Sequence, residues 1–126
     1  MISITHVALW ANNLERMKAF YEQHFEATAT KKYENPTKHF SSYFLTFATG
    51  AQLELMHQPG RSQNDLPRLG YAHLAFALGS KDEVDAKTQE LEQHGYTHLD
   101  GPRTTGDGYY ESTFADPDGN VIELTV

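Results

Sequence analysis

The chain lacks cysteine and contains few basic residues, and both absences limit what it can do. None of its 126 residues is cysteine, so there is no disulfide framework, and any bound metal must be held by nitrogen and oxygen. The 10 lysines and arginines are outnumbered by 17 acidic residues, which gives a formal net charge of −7. This balance argues against binding to nucleic acid or to anionic membrane surfaces.

Long apolar runs and a basic N-terminal segment are also missing. No stretch reaches the roughly 18 apolar residues that a membrane span requires, and the first residues do not resemble a signal peptide. We therefore expect a cytoplasmic protein. Aromatic residues make up 12% of the chain, enough for the hydrophobic interior of one compact domain.

The first half of the chain alternates strand-like and helical patterns. An apolar run over residues 2–10 predicts a strand, and Asn12 with Glu15 predicts the capped start of a helix. Residues 42–48 and 52–57 predict two further strands, joined at a Thr-Gly turn. Helical spacing predicts which side chains of that helix are buried: Leu14, Met17, Phe20, Tyr21 and Phe25.

The second half repeats this plan. Residues 71–78 predict a strand, Ser80 opens a capping box for a helix that ends near Gly95, and residues 109–115 and 121–126 predict the closing strands. We interpret the chain as one α+β domain, residues 1–126, made of two tandem β-α-β-β-β modules that form a curved-sheet cleft. Module one covers about 1–57, a linker about 58–70, and module two about 71–126.

Four residues recur at matching places in the two modules: His6, Glu54, His73 and Glu123. Each lies in a predicted strand, where side chains alternate between faces, and each is placed opposite the bulky apolar residues of its strand. Two imidazoles and two carboxylates are a suitable ligand set for a six-coordinate divalent metal. Small or moderately apolar neighbours on the same faces are more typical of a lined cleft than of a wet surface: Ala8, Met56, Ala75, Ala77 and Thr125.

The other five histidines are expected to be solvated. We place two on helices and three in or near loops, with His57 as a secondary candidate for the mouth of the cleft because it follows the Glu54 strand. The solvated set is His24, His39, His57, His94 and His98.

The whole chain resembles the vicinal oxygen chelate superfamily, and within it the glyoxalase I family. The resemblance lies in the segments around the four candidate residues, in a first helix ending in Phe20-Tyr21, and most distinctively in Asp-Pro-Asp-Gly-Asn-Val-Ile-Glu-Leu over residues 116–124. It implies paired modules around one divalent metal, held by His6, Glu54, His73 and Glu123, commonly in a homodimer. The ligand set leaves the metal open among Ni, Zn, Co, Mn and Fe.

The resemblance implies a lyase or isomerase that acts on a small, hemithioacetal-like carbonyl substrate. The metal would stabilise an enediolate, and Glu123 or Glu54 would be the catalytic base. Glutathione-using relatives usually have an arginine where this chain has Trp10 and an asparagine where it has Gln58. Arginines elsewhere can replace that function: Arg16, Arg61, Arg68 or Arg103. The substrate-binding residues are not assigned.

Two alternatives stay open at this stage. One is an extradiol-type dioxygenase or a thiol transferase of the same superfamily, although the dioxygenases and fosfomycin-modifying relatives generally use three protein ligands. The other is a drug-binding resistance protein without catalysis, a class that usually lacks the metal ligands.

Overall fold

Each half of the chain folds into one helix packed on one sheet. The computed structural model describes residues 1–62 and 69–126, and the chain divides into unit 1, Met1–Leu66, and unit 2, Pro67–Val126. The elements of unit 1 are β1 (His6–Trp10), α1 (Leu14–Phe25), β2 (Thr28–Ala29), β3 (Tyr33–Asn35), β4 (Phe40–Thr46) and β5 (Gln52–His57). Those of unit 2 are β6 (His73–Ala77), α2 (Lys81–Gln93), β7 (His98–Thr104), β8 (Tyr110–Ala115) and β9 (Val121–Thr125).

The two sheets share one topology. In unit 1 the strand order is β1-β5-β4-β2, with β3 also paired to β4, and in unit 2 it is β6-β9-β8-β7. The first strand of each unit runs parallel to the last, and the other pairs are antiparallel. The predicted mixed α+β class is confirmed.

Each helix covers the apolar face of the sheet in its own unit. In unit 1 the predicted stripe of α1 is buried, as are Leu45, Leu53 and Leu55 of the sheet. In unit 2, Val84 and Leu91 of α2 are buried together with Phe114, Ile122 and Leu124. Burial of one such aliphatic or aromatic side chain contributes about 1.5–3 kcal/mol. This packing fixes which face of each sheet is covered by its helix and which is not.

The helix caps agree with the sequence in unit 2 and differ by one residue in unit 1. Ser80 caps α2 by accepting a hydrogen bond from the backbone N–H of Glu83, and Gly95 follows the end of that helix with a φ of +82°. In α1 the cap is Asn13, which accepts from the N–H of Arg16, so the prediction of Asn12 was wrong. Both asparagines suit an N-cap, and Leu14 as the first buried position selects the second.

The strand predictions were too long at the N-terminus and incomplete elsewhere. β1 begins at His6 instead of residue 2, and Ile2 and Ile4 are exposed, because its partner β5 begins only at Gln52. Three strands were not predicted: β2, β3 and β7. In the linker predicted at about 58–70, residues 63–68 lie outside the described part of the chain.

Two of the five histidines that were predicted to be solvated pack against other side chains instead. His24 faces the core from the last turn of α1 and is only 2% exposed, since it follows Phe20 and Tyr21 on the buried side of the helix. His98 lies in β7 and stacks on Phe114 at 4.6 Å between ring centroids. Among the described residues, no helix has the length and apolar character needed to cross a membrane.

Candidate metal centre

In unit 1, His6 and Glu54 meet on the face of the sheet that α1 does not cover. Parallel pairing of β1 with β5 places Ala8 beside Glu54, and His6 points to the same side because it lies two residues before Ala8. The Nε2 atom of His6 is 3.7 Å from Oε1 of Glu54. The imidazole is 43% exposed and the carboxylate 17%, so the pair is open to a ligand without being fully solvated.

Unit 2 contains the same pair in the same register. Ala75 of β6 lies beside Glu123 of β9, and His73 lies two residues before Ala75. Nε2 of His73 is 3.2 Å from Oε2 of Glu123, and the two side chains are 41% and 20% exposed. The two units therefore repeat both the strand positions and the residue types of the His–Glu pair.

The distances within each pair suit two ligands of one metal ion. Nitrogen and oxygen donors bind first-row divalent ions at about 2.0–2.2 Å, so two neighbouring donors at right angles are about 3 Å apart. The separations of 3.2 and 3.7 Å require only small side-chain rotations to reach that value. Within the described residues, no group of three or more such side chains is assembled. The union of the two pairs in one four-ligand centre therefore stays a prediction.

Aromatic and small side chains surround the unit 1 pair. The ring of Phe44, on β4 beside Glu54, meets the His6 imidazole edge to face at 5.3 Å between centroids. Ala8 lies on the other side of Glu54. Phe44 and Ala8 therefore give the pair an apolar border on two sides.

Glu111 is a further acid at the unit 2 pair that the sequence interpretation missed. It lies on β8 with Thr113, which is paired with Glu123, so both glutamates point to the same side of the sheet. Burial raises the pKa of Glu111, and the charge of Glu123 and a hydrogen bond between the two carboxyl groups raise it further. Strand alternation would have identified it, since Ser112 and Phe114, its neighbours on the opposite face, are buried.

His57, the secondary candidate, does not join the unit 1 pair. It lies on the face of β5 opposite Glu54, and its Nδ1 atom is 2.9 Å from the carbonyl oxygen of Ala11. The backbone N–H of Ala11 also donates to the carbonyl of Met56 at 2.7 Å. Both bonds fasten the end of β1 to the end of β5, so His57 has a structural role there.

Comparison with known proteins identifies relatives of the whole chain. The sequence matches the family model described as Glyoxalase/Bleomycin resistance protein/Dioxygenase superfamily over residues 3–124. The metallothiol transferase FosB of Lysinibacillus sphaericus (strain C3-41) is 31% identical over 122 residues, which cover 97% of this chain and 80% of that protein.

Solved structures show the same fold. A glyoxalase family protein from Enterococcus faecalis has a TM-score of 0.80 and 27% identity, over 98% of this chain and 96% of that one. Glyoxalase I from Zea mays has a TM-score of 0.82 and 22% identity, over 98% of this chain, which spans 44% of the maize chain. The chain therefore belongs to the glyoxalase, bleomycin resistance protein and dioxygenase superfamily and has its vicinal oxygen chelate fold.

Proposed function

We propose that this protein is a divalent-metal-dependent lyase of the glyoxalase I type, in which residues 1–126 act as one domain. His6 and Glu54 from unit 1 and His73 and Glu123 from unit 2 are the proposed ligands of one metal ion. The proposed substrate is a small carbonyl compound, such as the hemithioacetal of an α-ketoaldehyde and a thiol. We also propose a homodimer in the cytoplasm, and sedimentation equilibrium of the purified protein tests the dimer.

One observation supports this proposal above the others: both units present a histidine and a glutamate in identical register on the uncovered face of their sheet. A single exposed His–Glu contact is commonly a surface ion pair that contributes little to stability. Its repetition in both units, with an alanine beside each glutamate, favours a shared functional use of both pairs. Glu54 distinguishes the proposed four-ligand set from a three-ligand set, since it adds a second carboxylate to the donors.

The donor chemistry fits a first-row divalent ion. Two neutral imidazoles and two carboxylates would balance its charge and leave it able to bind substrate oxygens as well. The crowding of Glu111 against Glu123 also favours a cation, because neighbouring carboxylates repel each other and a bound cation relieves that repulsion. When bound, the ion would supply Lewis-acid stabilisation of the negative charge that develops on the substrate oxygens.

The residues of the chain would carry out the proton transfer itself. A carboxylate, Glu123 or Glu54, takes the proton from the carbon that bears the thiol sulfur and the hydroxyl group. The same group returns a proton to the adjacent former carbonyl carbon, which converts the hemithioacetal into the thioester of a 2-hydroxy acid. No atom is gained or lost, so the reaction needs no oxidant or further reactant.

Turnover of a metal-loaded protein tests the proposed base. Methylglyoxal mixed with glutathione or cysteine is the substrate, and thioester formation is followed by absorbance after loading with Ni(II), Zn(II), Co(II), Mn(II) or Fe(II). We expect turnover with at least one metal, and a loss of at least about a hundredfold in Glu123→Gln measured at full metal occupancy. Glu22→Gln, the same change on the exposed side of α1, is the matched control.

Two outcomes would contradict the proposal. Absence of thioester formation with every metal and both thiols would remove the lyase reaction. Undiminished turnover of metal-loaded Glu123→Gln would remove that residue from the base role and leave Glu54→Gln as the remaining test of a carboxylate base.

A thiol transferase is the second candidate function, supported by the 31% identity to a metallothiol transferase. In such a reaction the thiol sulfur bonds to an electrophilic carbon, the C–O bond at that carbon breaks, and the released oxygen takes the proton that the thiol loses. Mass spectrometry separates the two functions, since a transferase forms a thiol adduct of an added electrophile and no thioester from methylglyoxal. A three-ligand site would also make Glu54→Gln nearly neutral for metal binding.

A further inference from the structure

Glu111 lies beside the ligand candidate Glu123 on the face of the unit 2 sheet that α2 does not cover. On β9, Glu123 is paired with Thr113 of β8, and Thr125 is paired with Glu111. The two glutamates therefore occupy diagonal positions on adjacent strands, from which long side chains reach each other. A hydrogen bond joins the two carboxyl groups. Since Glu123 also lies 3.2 Å from His73, Glu111 contacts one of the candidate ligands from the side away from the imidazole.

Unit 1 shows that the architecture does not require a glutamate at this position. On β4, Ser42 lies two residues before the residue that is paired with Glu54. Glu111 has the same relation on β8 to the residue that is paired with Glu123. Unit 1 therefore forms the same sheet with a small side chain there, only 4% exposed. The carboxyl group of Glu111 is an addition in unit 2 alone, and the repeated fold does not explain it.

The charges around Glu111 do not explain it as a surface ion pair either. Arg103 of β7 lies opposite Glu111 in the strand register, but its Nε atom is 2.7 Å from Oδ2 of Asp100. The negative charges of Glu123 and Asp107 both repel an ionised Glu111. Like charges brought together in a partly buried place cost stability, and local costs of this kind are typical of functional sites.

We propose that Glu111 is a positioning residue of the candidate metal centre. It holds the carboxyl group of Glu123 in place and adds a negative charge that strengthens the binding of a divalent ion. It acts through Glu123, because among the residues that the structure describes no three metal-binding side chains are close enough to hold one ion. A neighbour that hydrogen bonds to a metal ligand typically contributes about tenfold to a hundredfold in metal affinity. This role rests on the proposed function in one respect, that His73 and Glu123 bind a divalent ion.

Calorimetric titration of the metal-free protein with CoCl₂ tests this role, and the visible spectrum of bound Co(II) reports on its ligands. Glu111→Gln keeps the size of the side chain and removes its charge, and Glu111→Ser copies the residue of unit 1. We expect each variant to bind Co(II) about tenfold to a hundredfold more weakly and to shift the visible bands of the bound ion. Glu83→Gln, at an exposed position of α2 in the same unit, should change the affinity less than about twofold.

Urea unfolding of the metal-free proteins supplies the readout that separates a metal-site role from a structural one. We expect metal-free Glu111→Gln to be at least as stable as the wild type, since the change removes one of two neighbouring negative charges. A structural role for Glu111 would give the opposite pair of results, a loss of stability without metal and an unchanged affinity for Co(II).

Unchanged Co(II) affinity in both Glu111 variants, reduced stability of metal-free Glu111→Gln, or an equal loss of affinity in Glu83→Gln would each overturn the proposal. If the wild type binds no Co(II), the metal centre itself fails, and the role of Glu111 fails with it. If the wild type and both Glu111 variants bind Co(II) equally well, only the role of Glu111 fails. A wild type that binds Co(II) more tightly than the variants and forms no thioester would remove the lyase and support the role of Glu111.

Discussion

At the scale of single residues, the immediate partners of a side chain decide its role more than its chemical type does. Glu15 and Glu54 are both glutamates of unit 1, yet Glu15 receives a hydrogen bond from the Tyr43 hydroxyl at 2.8 Å and lies 3.2 Å from Nζ of Lys32. The hydrogen bond from Tyr43, together with Lys32, lowers the pKa of Glu15. Glu15 is therefore committed to holding α1 on β4, whereas Glu54 faces an imidazole.

Replacing Tyr43 by Phe tests the Glu15 interaction. The pKa of Glu15 is lower in the folded state than in the unfolded state, so its ionised form stabilises the fold above its ordinary pKa, and this stability is lost as pH falls through the lowered value. We expect Tyr43→Phe to reduce the free energy of unfolding by about 1 kcal/mol at neutral pH, since the bond is partly exposed. Urea unfolding at several pH values measures the difference.

The loss in Tyr43→Phe should shrink toward zero in acid, where Glu15 is protonated in both proteins. Tyr71→Phe, at an exposed tyrosine, is the control and should change stability little. A loss that stays constant down to acid pH would show that lost packing, and not the charged hydrogen bond, causes the effect.

Strand alternation was sufficient to predict the faces of the two candidate glutamates, because their neighbours in sequence are large and apolar. Leu53 and Leu55 are buried around Glu54, and Ile122 and Leu124 around Glu123. The same rule applied to β8 would have found Glu111. Contacts between distant residues, such as the Arg61–Trp10 stack, could not be predicted, since they depend on how the segment after β5 folds back.

At the scale of elements, β7 shows why some strands escaped prediction. Its sequence, His-Leu-Asp-Gly-Pro-Arg-Thr, contains turn residues at its centre, and its pairing with β8 shifts register twice. Gly101 has a φ of +79°, and a Cβ there would lie 2.5 Å from the backbone oxygen of Glu111. Only the neighbouring strand reveals this requirement for glycine, because close approach of two backbones leaves no hydrophobic pattern.

Gly101→Ala tests the close approach of β7 to β8. The added methyl group must displace the backbone of Glu111 in addition to occupying a left-handed conformation, so we expect a loss of about 3 kcal/mol in stability. Gly108 also has a positive φ but has nothing within 4 Å of the Cβ position, so Gly108→Ala should cost only about 1 kcal/mol. Thermal or urea unfolding of the two variants side by side measures the contrast, and equal losses would contradict the close contact.

Local signals predicted the two helices better than the short strands. The cap of α2 at Ser80 and the glycine after its end are contained in the sequence that forms them. β2 has two residues and β3 three, so neither develops a periodic pattern, and both depend on β4 for their pairing. A segment held only by its partner strand cannot be recognised from its own residues.

At the scale of the whole molecule, the repeat of one architecture in two units is the central fact. Each unit has a helix, a sheet whose first and last strands are parallel, and one His–Glu pair at the same register. Two donors from one unit are too few for a stable transition-metal site, and four donors from two units are sufficient. The proposed function therefore requires that both pairs serve the same ion.

Metal stoichiometry in three proteins tests this requirement most directly. Elemental analysis is made on the wild-type protein, Glu54→Gln in unit 1 and Glu123→Gln in unit 2, each purified without chelator and dialysed against the same divalent metal. With four ligands shared by one ion, we expect one ion per chain in the wild type and a loss of most of it in both variants, with Glu22→Gln unchanged. Two ions per chain, no ion in the wild type, or full retention in Glu54→Gln would contradict it.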